Sequence, residues 1–497
     1  MGTHEPREQR SPYLSRRMVL ASTGLAPVAA SLRWPGAEAD PVEVGSWSAP
    51  FDLGGVAIHA TLLHTDDVLI FQYVEGSPLL DHTSWIATWN WRTQQTTEAP
   101  FPYDRDIYCT GHNVLADGRL FLAGGHDHTT GHRQDVAAID RCDLYDPVAR
   151  TWTKAPRLTQ KRWYPTNVGL GNGRTLIFGG LDGDRRRSTT VDEYDPRTNS
   201  MRRLPVTDRY PLGNYPRMHL MPNGRVLVSG WKQETASFNP ARLTWRRLRS
   251  SRHGTRWQGA SALLPGARRV LIVGGGDDSR DRTPTRTAEL LDLERAEPTW
   301  GYTGSLRHGR FMHNLVLLPD GKALAVGGGR TARYGDPVFL PEMYDPRTRA
   351  WSVMAAQRAS RMYHSTALLL PDGRVLSAGQ TSGRFDRYAE IYSPPYLFRG
   401  ARPVVSGSPE SVPLGGRLRF GSPDAARIGT VTLMRPSSCT HGNDPEQRSV
   451  PLQFTVSGVT VTAQLPANRN LVPPGYYMLF AVDRAGVPAV APWVRIV

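Results

Sequence analysis

The segment Arg361–Gln380, RMYHSTALLLPDGRVLSAGQ, contains the pattern that decides the fold. We predict a strand at His364–Leu370, a tight turn at Pro371–Gly373, a second strand at Arg374–Ser377 and a break at Gly379. An Asp-Gly pair between two apolar runs indicates a β-hairpin, because the turn needs residues that tolerate positive φ. The segment therefore indicates β-structure joined by short turns.

The same hairpin pattern recurs along the chain. Its other copies are ATLLHTDDVLIF (Ala60–Phe71, degenerate), LADGRLFLAGG (Leu115–Gly125), LGNGRTLIFGG (Leu170–Gly180), MPNGRVLVSG (Met221–Gly230), LLPGARRVLIVGG (Leu263–Gly275) and LLPDGKALAVGG (Leu317–Gly328). Seven copies at a spacing of roughly 45–55 residues are typical of propeller blades. The fold class is therefore predicted to be all-β, with a seven-bladed β-propeller.

A second pattern follows several hairpins: an aromatic residue, Asp-Pro or Asn-Pro, and usually a tryptophan a few residues on. It is found at Tyr145–Trp152, Phe238–Trp245 and Tyr344–Trp351, and without the tryptophan at Tyr194–Pro196. Each blade would then have four strands. The double glycines and tryptophans resemble kelch repeats, and Gly45–Trp47 is expected to be an outer strand that closes the last blade.

The repeats stop near residue 400, so we place the propeller at residues 41–400 and a second domain at residues 401–497. The second part of the chain has short apolar segments between Pro and Gly turns. These segments are Gly429–Met434, Gln453–Val456, Val459–Leu465, Tyr476–Val482 and Val490–Val497. About a hundred residues of this pattern favour an antiparallel sandwich of immunoglobulin type.

Residues 1–40 have the pattern of an export leader. Ser15–Leu20 is a twin-arginine motif, an apolar run extends to Leu32, and Ala37–Ala39 is a small-residue cleavage site. The apolar run is too short, and too broken by Gly24 and Pro27, to span a bilayer. We therefore predict a secreted protein without a membrane span.

The net charge of +15 comes almost wholly from arginine. Arginine binds phosphates and carboxylates bidentately, so nucleic acids and anionic glycans are both admissible partners. No basic cluster with helical or aromatic patterning indicates a nucleic-acid module. We therefore expect no nucleic-acid partner.

The chain has three cysteines, Cys109, Cys142 and Cys439. An odd number in an exported protein leaves at least one without an intramolecular disulfide partner. Cys142, close to Tyr145, is expected to be a buried and inert thiol.

When the repeats are aligned on their turns, side chains with reactive groups fall at equivalent positions. Eight residues before the turn Asp or Asn stand Cys109, Tyr164 and His364, and Tyr363 lies beside the last of them. Equivalent positions on different blades converge on the central channel of a propeller. Any one buried Tyr or His is usually structural, but three matches at one height favour a site on the axis.

At these residues the sequence resembles the radical copper oxidases, the family of galactose oxidase and glyoxal oxidase. The resemblance covers about residues 45–497. The matching segments are Asp106–Cys109 with Gly111, Arg162–Tyr164, Met362–Ser365, Thr440–His441, Pro474–Phe480 and Ala485–Pro488. The Arg-Trp-Tyr form of the second segment is closer to the glyoxal oxidases.

The resemblance implies that Cys109 and Tyr164 form a thioether-linked tyrosyl radical cofactor. It also implies that Tyr164, Tyr363, His364 and His441 ligate one copper ion, with His441 on a loop of the C-terminal domain. Imidazole and phenolate donors suit Cu(II) better than Ca²⁺ or Mg²⁺. Such a site would oxidise a small aldehyde, a primary alcohol or a glycan end with O₂ and release hydrogen peroxide. Tyr363 would take the alcohol proton. The protein is expected to be a monomer.

Three other interpretations are open at this point. A metal-free kelch propeller that binds carbohydrate or protein would leave the alignment of Cys109, Tyr164 and His364 unexplained. A hydrolytic propeller such as a sialidase would need a carboxylate pair and an arginine triad near the axis. Cys439, two residues before His441, could be a thiolate copper ligand, but a soft ligand would favour Cu(I) and quench radical chemistry.

The mouth of the site is expected to be aromatic and basic, and to favour small polar or anionic substrates. Galactose-oxidising members have a tryptophan where this chain has Leu181-Asp182, so Trp257 is our choice for the ring that covers the cross-link. Trp163 is expected to pack between blades, with its side chain pointing away from Tyr164. The other pocket residues, eight to ten positions before the turns, are Tyr215, Phe311, Arg256 and Arg310.

Overall fold

Seven antiparallel sheets formed by consecutive hairpins confirm the predicted propeller. The computed structural model describes residues 40–72, 84–103, 106–127, 137–277, 283–331, 335–382 and 385–497. The predicted leader lies outside these residues, except for Asp40. From blade 2 through blade 7 and on to blade 1, the innermost strands of successive blades contact one another and line a central channel.

A short N-terminal segment precedes the first two blades. It contains helix α1 (Pro41–Val44), β1 (Ser46–Trp47) and β2 (Phe51–Asp52). Blade 1 contains β3 (His59–Leu62), β4 (Asp67–Gln72), β5 (Trp85–Asn90) and β6 (Thr96–Glu98). Blade 2 contains β7 (Gly111–Val114), β8 (Leu120–Ala123), the side hairpin β9 (His126–Asp127) and β10 (Ala137–Ala138), β11 (Cys142–Asp146) and β12 (Thr151–Ala155).

The next three blades have four strands each. Blade 3 contains β13 (Thr166–Gly169), β14 (Thr175–Phe178), β15 (Asp192–Asp195) and β16 (Ser200–Arg203). Blade 4 contains β17 (Arg217–Leu220), β18 (Val226–Ser229), β19 (Ala236–Asn239) and β20 (Thr244–Arg247). Blade 5 contains β21 (Ala260–Leu263), a 3₁₀ turn (Pro265–Ala267), β22 (Arg269–Val273), β23 (Ala288–Asp292) and β24 (Trp300–Tyr302).

The last two blades complete the ring. Blade 6 contains β25 (Asn314–Leu317), β26 (Ala323–Val326), β27 (Glu342–Asp345) and β28 (Ala350–Val353). Blade 7 contains β29 (Thr366–Leu369), β30 (Val375–Ala378) and β31 (Tyr388–Ser393). Its outer strand is β1, which pairs Trp47 with Tyr392. The predicted closure of the last blade by the N-terminal strand is thus confirmed.

The hairpin of blade 7 differs from the prediction in where its first strand begins. The turn is as expected, since Gly373 has φ 81° and its N–H donates to the Leu370 carbonyl at 2.9 Å. The strand, however, begins at Thr366, because His364 has φ 67° and Ser365 N–H donates to the Met362 carbonyl at 3.0 Å. His364 therefore lies on a tight turn that precedes the strand.

The C-terminal region has eight strands, and seven of them, all except β35, form a β-structure that packs on the propeller. It contains a 3₁₀ turn (Pro395–Phe398), β32 (Ser411–Val412), β33 (Arg417–Gly421), a 3₁₀ turn (Ala425–Arg427), β34 (Ile428–Arg435), β35 (Ser438–Thr440), β36 (Arg448–Ser457), β37 (Thr460–Gln464), β38 (Gly475–Asp483) and β39 (Trp493–Ile496). The first half of β36 pairs with β34 and the second half with β37, so this strand passes from one sheet to the other. The two sheets enclose a separate apolar core.

Strand β35 leaves this domain and enters the central channel of the propeller. It pairs antiparallel with β3, the innermost strand of blade 1, and places Ser438 opposite Thr61 and Thr440 opposite His59. It also contacts β7 and β29. The C-terminal domain thus delivers Thr440 and the residue after it, His441, to the propeller axis.

None of the helices in the described part of the chain is long and apolar enough to cross a membrane.

Buried histidines on the inner strands are expected to make the metal-free protein sensitive to acid. His219 on β17 bonds the Ser261 hydroxyl at 2.8 Å, and burial lowers its pKa to about 3. Because the unfolded chain binds this proton near pH 6.5, the stability that neutral His219 confers is present above that pH and is lost as the pH falls towards 3. Each such histidine contributes up to about 1.4 kcal/mol per pH unit to the slope of stability against pH.

His219→Gln should therefore reduce that slope by about one proton in urea unfolding between pH 4 and 6. His253→Gln, at an exposed position where desolvation lowers the pKa less than at His219, is the control and should reduce the slope by less than His219→Gln does. Equal slopes for the wild type and His219→Gln would contradict the assignment of a neutral buried His219.

Candidate metal centre

The position eight residues before each turn has a left-handed backbone in blades 2 to 7. The residues and their φ angles are Cys109 (54°), Tyr164 (61°), Tyr215 (43°), Gln258 (55°), Met312 (56°) and His364 (67°). Such a conformation is unfavourable for a non-glycine residue and persists only where surrounding structure enforces it. These residues lie on the turn that precedes each innermost strand, so the expectation that they lie on the strands is corrected.

Backbone hydrogen bonds join these left-handed residues from blade to blade. Tyr164 N–H donates to the Cys109 carbonyl at 3.1 Å, and Tyr215 N–H donates to the Tyr164 carbonyl at 2.8 Å. Met312 N–H bonds the Gln258 carbonyl in the same way at 2.8 Å. Residues that are equivalent in the repeat are therefore direct neighbours in space.

The side chains from blades 2, 3 and 7 meet the C-terminal loop at one end of this ring. The hydroxyl oxygens of Tyr164 and Tyr363 are 3.2 Å apart. The Cys109 sulfur and one nitrogen each of His364 and His441 lie within 4.8 Å of one another. The structure thus brings together all five residues that the sequence analysis proposed for the site.

The hydrogen bonds of Thr440 determine which nitrogen of His441 is available. The Thr440 hydroxyl donates to the Ile58 carbonyl at 2.9 Å and lies 2.7 Å from His441 Nδ1. Since that hydroxyl has a single proton, it must accept from Nδ1–H, and neutral His441 has a bare lone pair on Nε2. Nε2 is buried and has no hydrogen-bond partner among the described residues. This is the state of a metal-ligating histidine whose other nitrogen is held by a protein group.

His364 is oriented in a similar way. Its Nδ1 lies 2.8 Å from the Thr381 hydroxyl, and its ring stacks on Tyr363 with centroids 3.7 Å apart. The His441 ring meets it edge-on at 4.5 Å. Burial lowers the pKa of His364 to about 3, and it lowers the pKa of His441 as well, so both imidazoles are neutral and can act as donors near pH 7.

The thiol of Cys109 and the phenol of Tyr164 are protonated when no cation is bound. Burial raises the pKa of the Cys109 thiol to about 12 and raises that of Tyr164 well above its usual value, with Cys109 and Tyr363 adding to the shift of Tyr164. A phenolate would therefore form here only beside a positive charge. Two neutral imidazoles and two phenols fit a copper ion of the Cu(II) type.

Arg217, which the sequence analysis did not single out, fixes the backbone of the C-terminal loop. Its buried guanidinium donates to the carbonyls of Tyr215 (2.7 Å), Gly259 (3.1 Å) and His441 (3.0 Å). Burial lowers its pKa to about 10, with Tyr215 opposing the shift. The sequence did contain a signal for it, because Arg217 stands six residues before a turn, at a position that is uncharged in the other repeats.

The ring that stacks on Tyr164 is Trp163. Their ring centroids are 4.6 Å apart and their planes differ by 20°. The prediction that Trp163 points away from Tyr164 is therefore wrong. Trp257, our choice for this place, has Trp231 and Phe311 as ring neighbours at 6.3 and 6.0 Å.

The remaining pocket residues divide into two groups. Tyr215 lies against the site, since its ring is 5.2 Å from that of Tyr164 and 4.8 Å from that of His441. Phe311 is buried. Arg256 and Arg310 are 1% and 0% exposed, so the expectation that they face an anionic substrate is corrected.

These arginines are part of a structural repeat that, in blades 3, 5, 6 and 7, ties the loop before the blade to its third strand or to the loop just before that strand. Each guanidinium also bonds backbone carbonyls of its own blade, as Arg256 does with Gly274 and Thr287. The buried ion pairs are Arg162–Asp192, Arg256–Glu289, Arg310–Glu342, and Arg361 with Asp386 and Glu390. Their charge is thus neutralised inside the fold.

Arg310→Met is expected to lower the free energy of unfolding by about 3–5 kcal/mol, because it leaves Glu342 buried without its partner. Arg310→Met/Glu342→Leu should recover much of that loss, since it removes both charges. Denaturant unfolding measures both variants. Arg186→Met is the matched control, because its partner Asp184 is exposed, and it should change stability by less than about 1 kcal/mol.

The other two cysteines lie outside the site. Cys439 is buried on β35 and its sulfur contacts the Ala367 carbonyl at 3.6 Å, on the side of the strand that packs into the propeller core. Cys142 is buried in the core between blades 2 and 3. Among the described residues all three cysteines are free thiols, and only Cys109 faces the two histidines.

This fold and this site define a propeller–sandwich protein with a candidate mononuclear metal centre of two imidazoles, two phenols and a thiol. Residues 79–396 match the family model of the glyoxal oxidase N-terminus, and residues 402–496 match the galactose oxidase-like early set domain. The chain therefore belongs to the glyoxal oxidase family.

Individual relatives agree with this assignment. Aldehyde oxidase GLOX of Vitis pseudoreticulata is 30% identical over 447 residues, which cover 79% of this chain and 82% of that protein. Galactose oxidase of Gibberella zeae is 27% identical over 430 residues, and the match spans 61% of its length. A fungal alcohol oxidase of the AA5 family, solved in complex with copper, has the same fold with a TM-score of 0.80 over 91% of this chain and 100% of that one, at 23% identity.

Proposed function

We propose that this protein is a copper-radical oxidase that converts a small aldehyde or a primary alcohol, including a glycan end, with O₂ to the oxidised product and hydrogen peroxide. The observation that carries the proposal is the meeting of Tyr164 and Tyr363, 3.2 Å apart, with Cys109, His364 and His441 on the propeller axis. The family and the chemistry of the donors support it. No observation favours the alternative of a metal-free binding module.

In this proposal the four ligands of copper are Tyr164, Tyr363, His364 and His441. Bound copper would supply one of the two oxidising equivalents, and the two electrons and two protons taken from the substrate would finally convert O₂ to hydrogen peroxide. Tyr164, linked through its ring to the Cys109 sulfur, would hold the second equivalent, because a thioether lowers the oxidation potential of a phenol. The stacking of Trp163 on Tyr164 shields the ring from solvent, which would prolong the life of the radical.

The two tyrosines would have different roles in the reaction, Tyr363 in proton transfer and Tyr164 in hydrogen-atom transfer. Tyr363 would take the hydroxyl proton of the substrate, and the 3.2 Å separation places its oxygen beside that of Tyr164. Tyr164 would then take a hydrogen atom from the carbinol carbon. An alcohol would give an aldehyde, and the hydrate of an aldehyde would give a carboxylic acid, each with one hydrogen peroxide per O₂ consumed.

We propose that the substrates are of the glyoxal type and not hexoses. The Arg-Trp-Tyr segment resembles the glyoxal oxidases more closely than the galactose oxidases. The arginines that were expected to bind an anionic substrate are buried in ion pairs, so they do not favour acidic sugars. We also propose that the protein is a monomer and is exported through the twin-arginine motif at Ser15–Leu20.

The test is copper analysis and an optical spectrum of the oxidised protein, together with a peroxide assay on matched aldehydes and alcohols. One copper per chain, a radical absorption band and peroxide release that needs both copper and O₂ are expected. Metal-stripped protein is the control. Failure to bind copper, or copper-loaded protein that releases no peroxide from any aldehyde or primary alcohol, would overturn the proposal.

A further inference from the structure

A buried chain of hydrogen bonds runs from Cys109 to the C-terminal strand β35. The backbone N–H of Cys109 donates to His59 Nε2 at 3.0 Å. His59 Nδ1 lies 3.0 Å from His112 Nε2, and His112 Nδ1 lies 2.5 Å from the Ser438 hydroxyl. The side chains of His59, His112 and Ser438 are all buried.

The direction of every bond in this chain is determined. A backbone N–H can only donate, so His59 Nε2 accepts. Burial lowers the pKa of His59 and lowers that of His112 to about 3, so both rings carry one proton. The proton of His59 is then on Nδ1 and is donated to His112 Nε2, and the proton of His112 is on Nδ1 and is donated to Ser438.

The N–H of Cys109 differs from that of Tyr164, because its acceptor is the His59 side chain and not a backbone carbonyl. In blade 3 the N–H of Tyr164 bonds the carbonyl of Cys109, its equivalent in the preceding blade. At Cys109 itself the acceptor is the side chain of His59, which lies on β3, the innermost strand of blade 1. The left-handed backbone of Cys109 is thus held by the His59 side chain, which is connected through His112 to Ser438 on β35.

We propose that His59 and His112 are positioning residues for the formation of the Cys109–Tyr164 thioether. They hold the Cys109 backbone so that its sulfur faces the Tyr164 ring, and they do so fully only when β35 has docked. The inference rests on the cross-link of the proposed function. It makes the docking of the C-terminal domain, which also delivers His441, a condition for efficient maturation of the site.

The covalent step balances with O₂ as the oxidant in the presence of copper. The Cys109 sulfur forms a bond to a ring carbon of Tyr164, while one S–H bond and one C–H bond break. The two electrons and two protons that leave the protein reduce O₂ to hydrogen peroxide. His59 and His112 take no part in this electron transfer and act only on the geometry of Cys109.

The test follows cross-linking by peptide mass spectrometry after copper and air are added to metal-free full-length protein. His59→Leu removes the acceptor for Cys109 N–H, whereas His59→Gln keeps an acceptor and a donor in similar places. His219→Leu is the matched control, because His219 is equally buried and bonds a serine hydroxyl on a blade that does not carry Cys109. Copper affinity and thermal stability are measured for each variant.

We expect His59→Leu to slow cross-linking by at least about tenfold at equal copper occupancy, because Cys109 N–H loses the acceptor that holds it. His59→Gln should recover most of the rate, and His219→Leu should link at the wild-type rate despite its lower stability. Ser438→Ala, which keeps the packing of His59 on Phe71, should slow linking as well, since it removes the anchor on β35.

Wild-type linking rates in His59→Leu and Ser438→Ala would overturn the inference. Equal slowing by His219→Leu would also overturn it, because the effect would then follow stability alone. If His59→Leu does not fold, the comparison of Ser438→Ala with His219→Leu decides. Absence of the link in the wild type would refute the proposed cofactor itself, whereas linking at one rate in all variants would refute only the positioning role.

Discussion

Cys109→Ser is expected to abolish the covalent link to Tyr164 and to reduce turnover by at least about a thousandfold, the scale of losses when a group essential to the reaction is removed. Serine keeps the size of the side chain and the backbone N–H that bonds His59, so folding and copper binding should persist. It cannot form a thioether, so the Tyr164 ring would keep the higher oxidation potential of a simple phenol.

Peptide mass spectrometry of copper-loaded, aerated protein measures the result. The wild type should yield a linked Cys109–Tyr164 peptide pair that lacks two hydrogens, and Cys109→Ser should yield separate peptides. Cys439→Ser is the matched control, because Cys439 is equally buried but faces the propeller core; it should form the link. Separate peptides from the wild type would contradict the proposed cofactor.

His441→Ala is expected to weaken copper binding by more than the roughly 10–100-fold that is typical when a group supporting a ligand is lost. His441 comes from the C-terminal domain, and its Nε2 has no other hydrogen-bond partner in the described part of the chain. Its loss would remove one of the two imidazole ligands of the proposed copper site. Competition with a chelator of known affinity measures the change.

Two further variants define the scale of this effect. Thr440→Val removes the group that orients His441 Nδ1 and should weaken copper binding by about 10–100-fold. His219→Ala, which removes a buried imidazole outside the site, should leave copper affinity unchanged. Unaltered affinity in His441→Ala would show that the C-terminal loop does not contribute a ligand.

The number of blades and the equivalence of positions could be derived from the sequence because both depend on local signals. An Asp-Gly or Asn-Gly turn needs residues that adopt positive φ, and it marks the same point in each blade. Counting from that point identified Cys109, Tyr164 and His364 as equivalent. The structure shows why the count works, since these residues share one backbone conformation and the first two are directly hydrogen-bonded.

The direction of side chains near the axis could not be derived in this way. In an extended strand neighbouring side chains point to opposite sides, so Trp163 was expected to face away from Tyr164. The left-handed backbone of Tyr164 breaks that alternation, and the two rings stack. Arg256 and Arg310 were misplaced for the same reason, because they stand two residues before a left-handed position and turn into their own blades.

The sequence by itself determined the all-β class, the seven repeats and the candidate site residues Cys109, Tyr164 and His364, since hairpin turns and their spacing are properties of short segments. The tertiary structure alone decided how these side chains become one site. Thr440 bonds the Ile58 carbonyl across 382 positions of the chain, and His441 reaches the axis only because β35 pairs with β3. No local pattern encodes such a pairing, because its free energy comes from packing and hydrogen bonds between segments that are far apart in the chain.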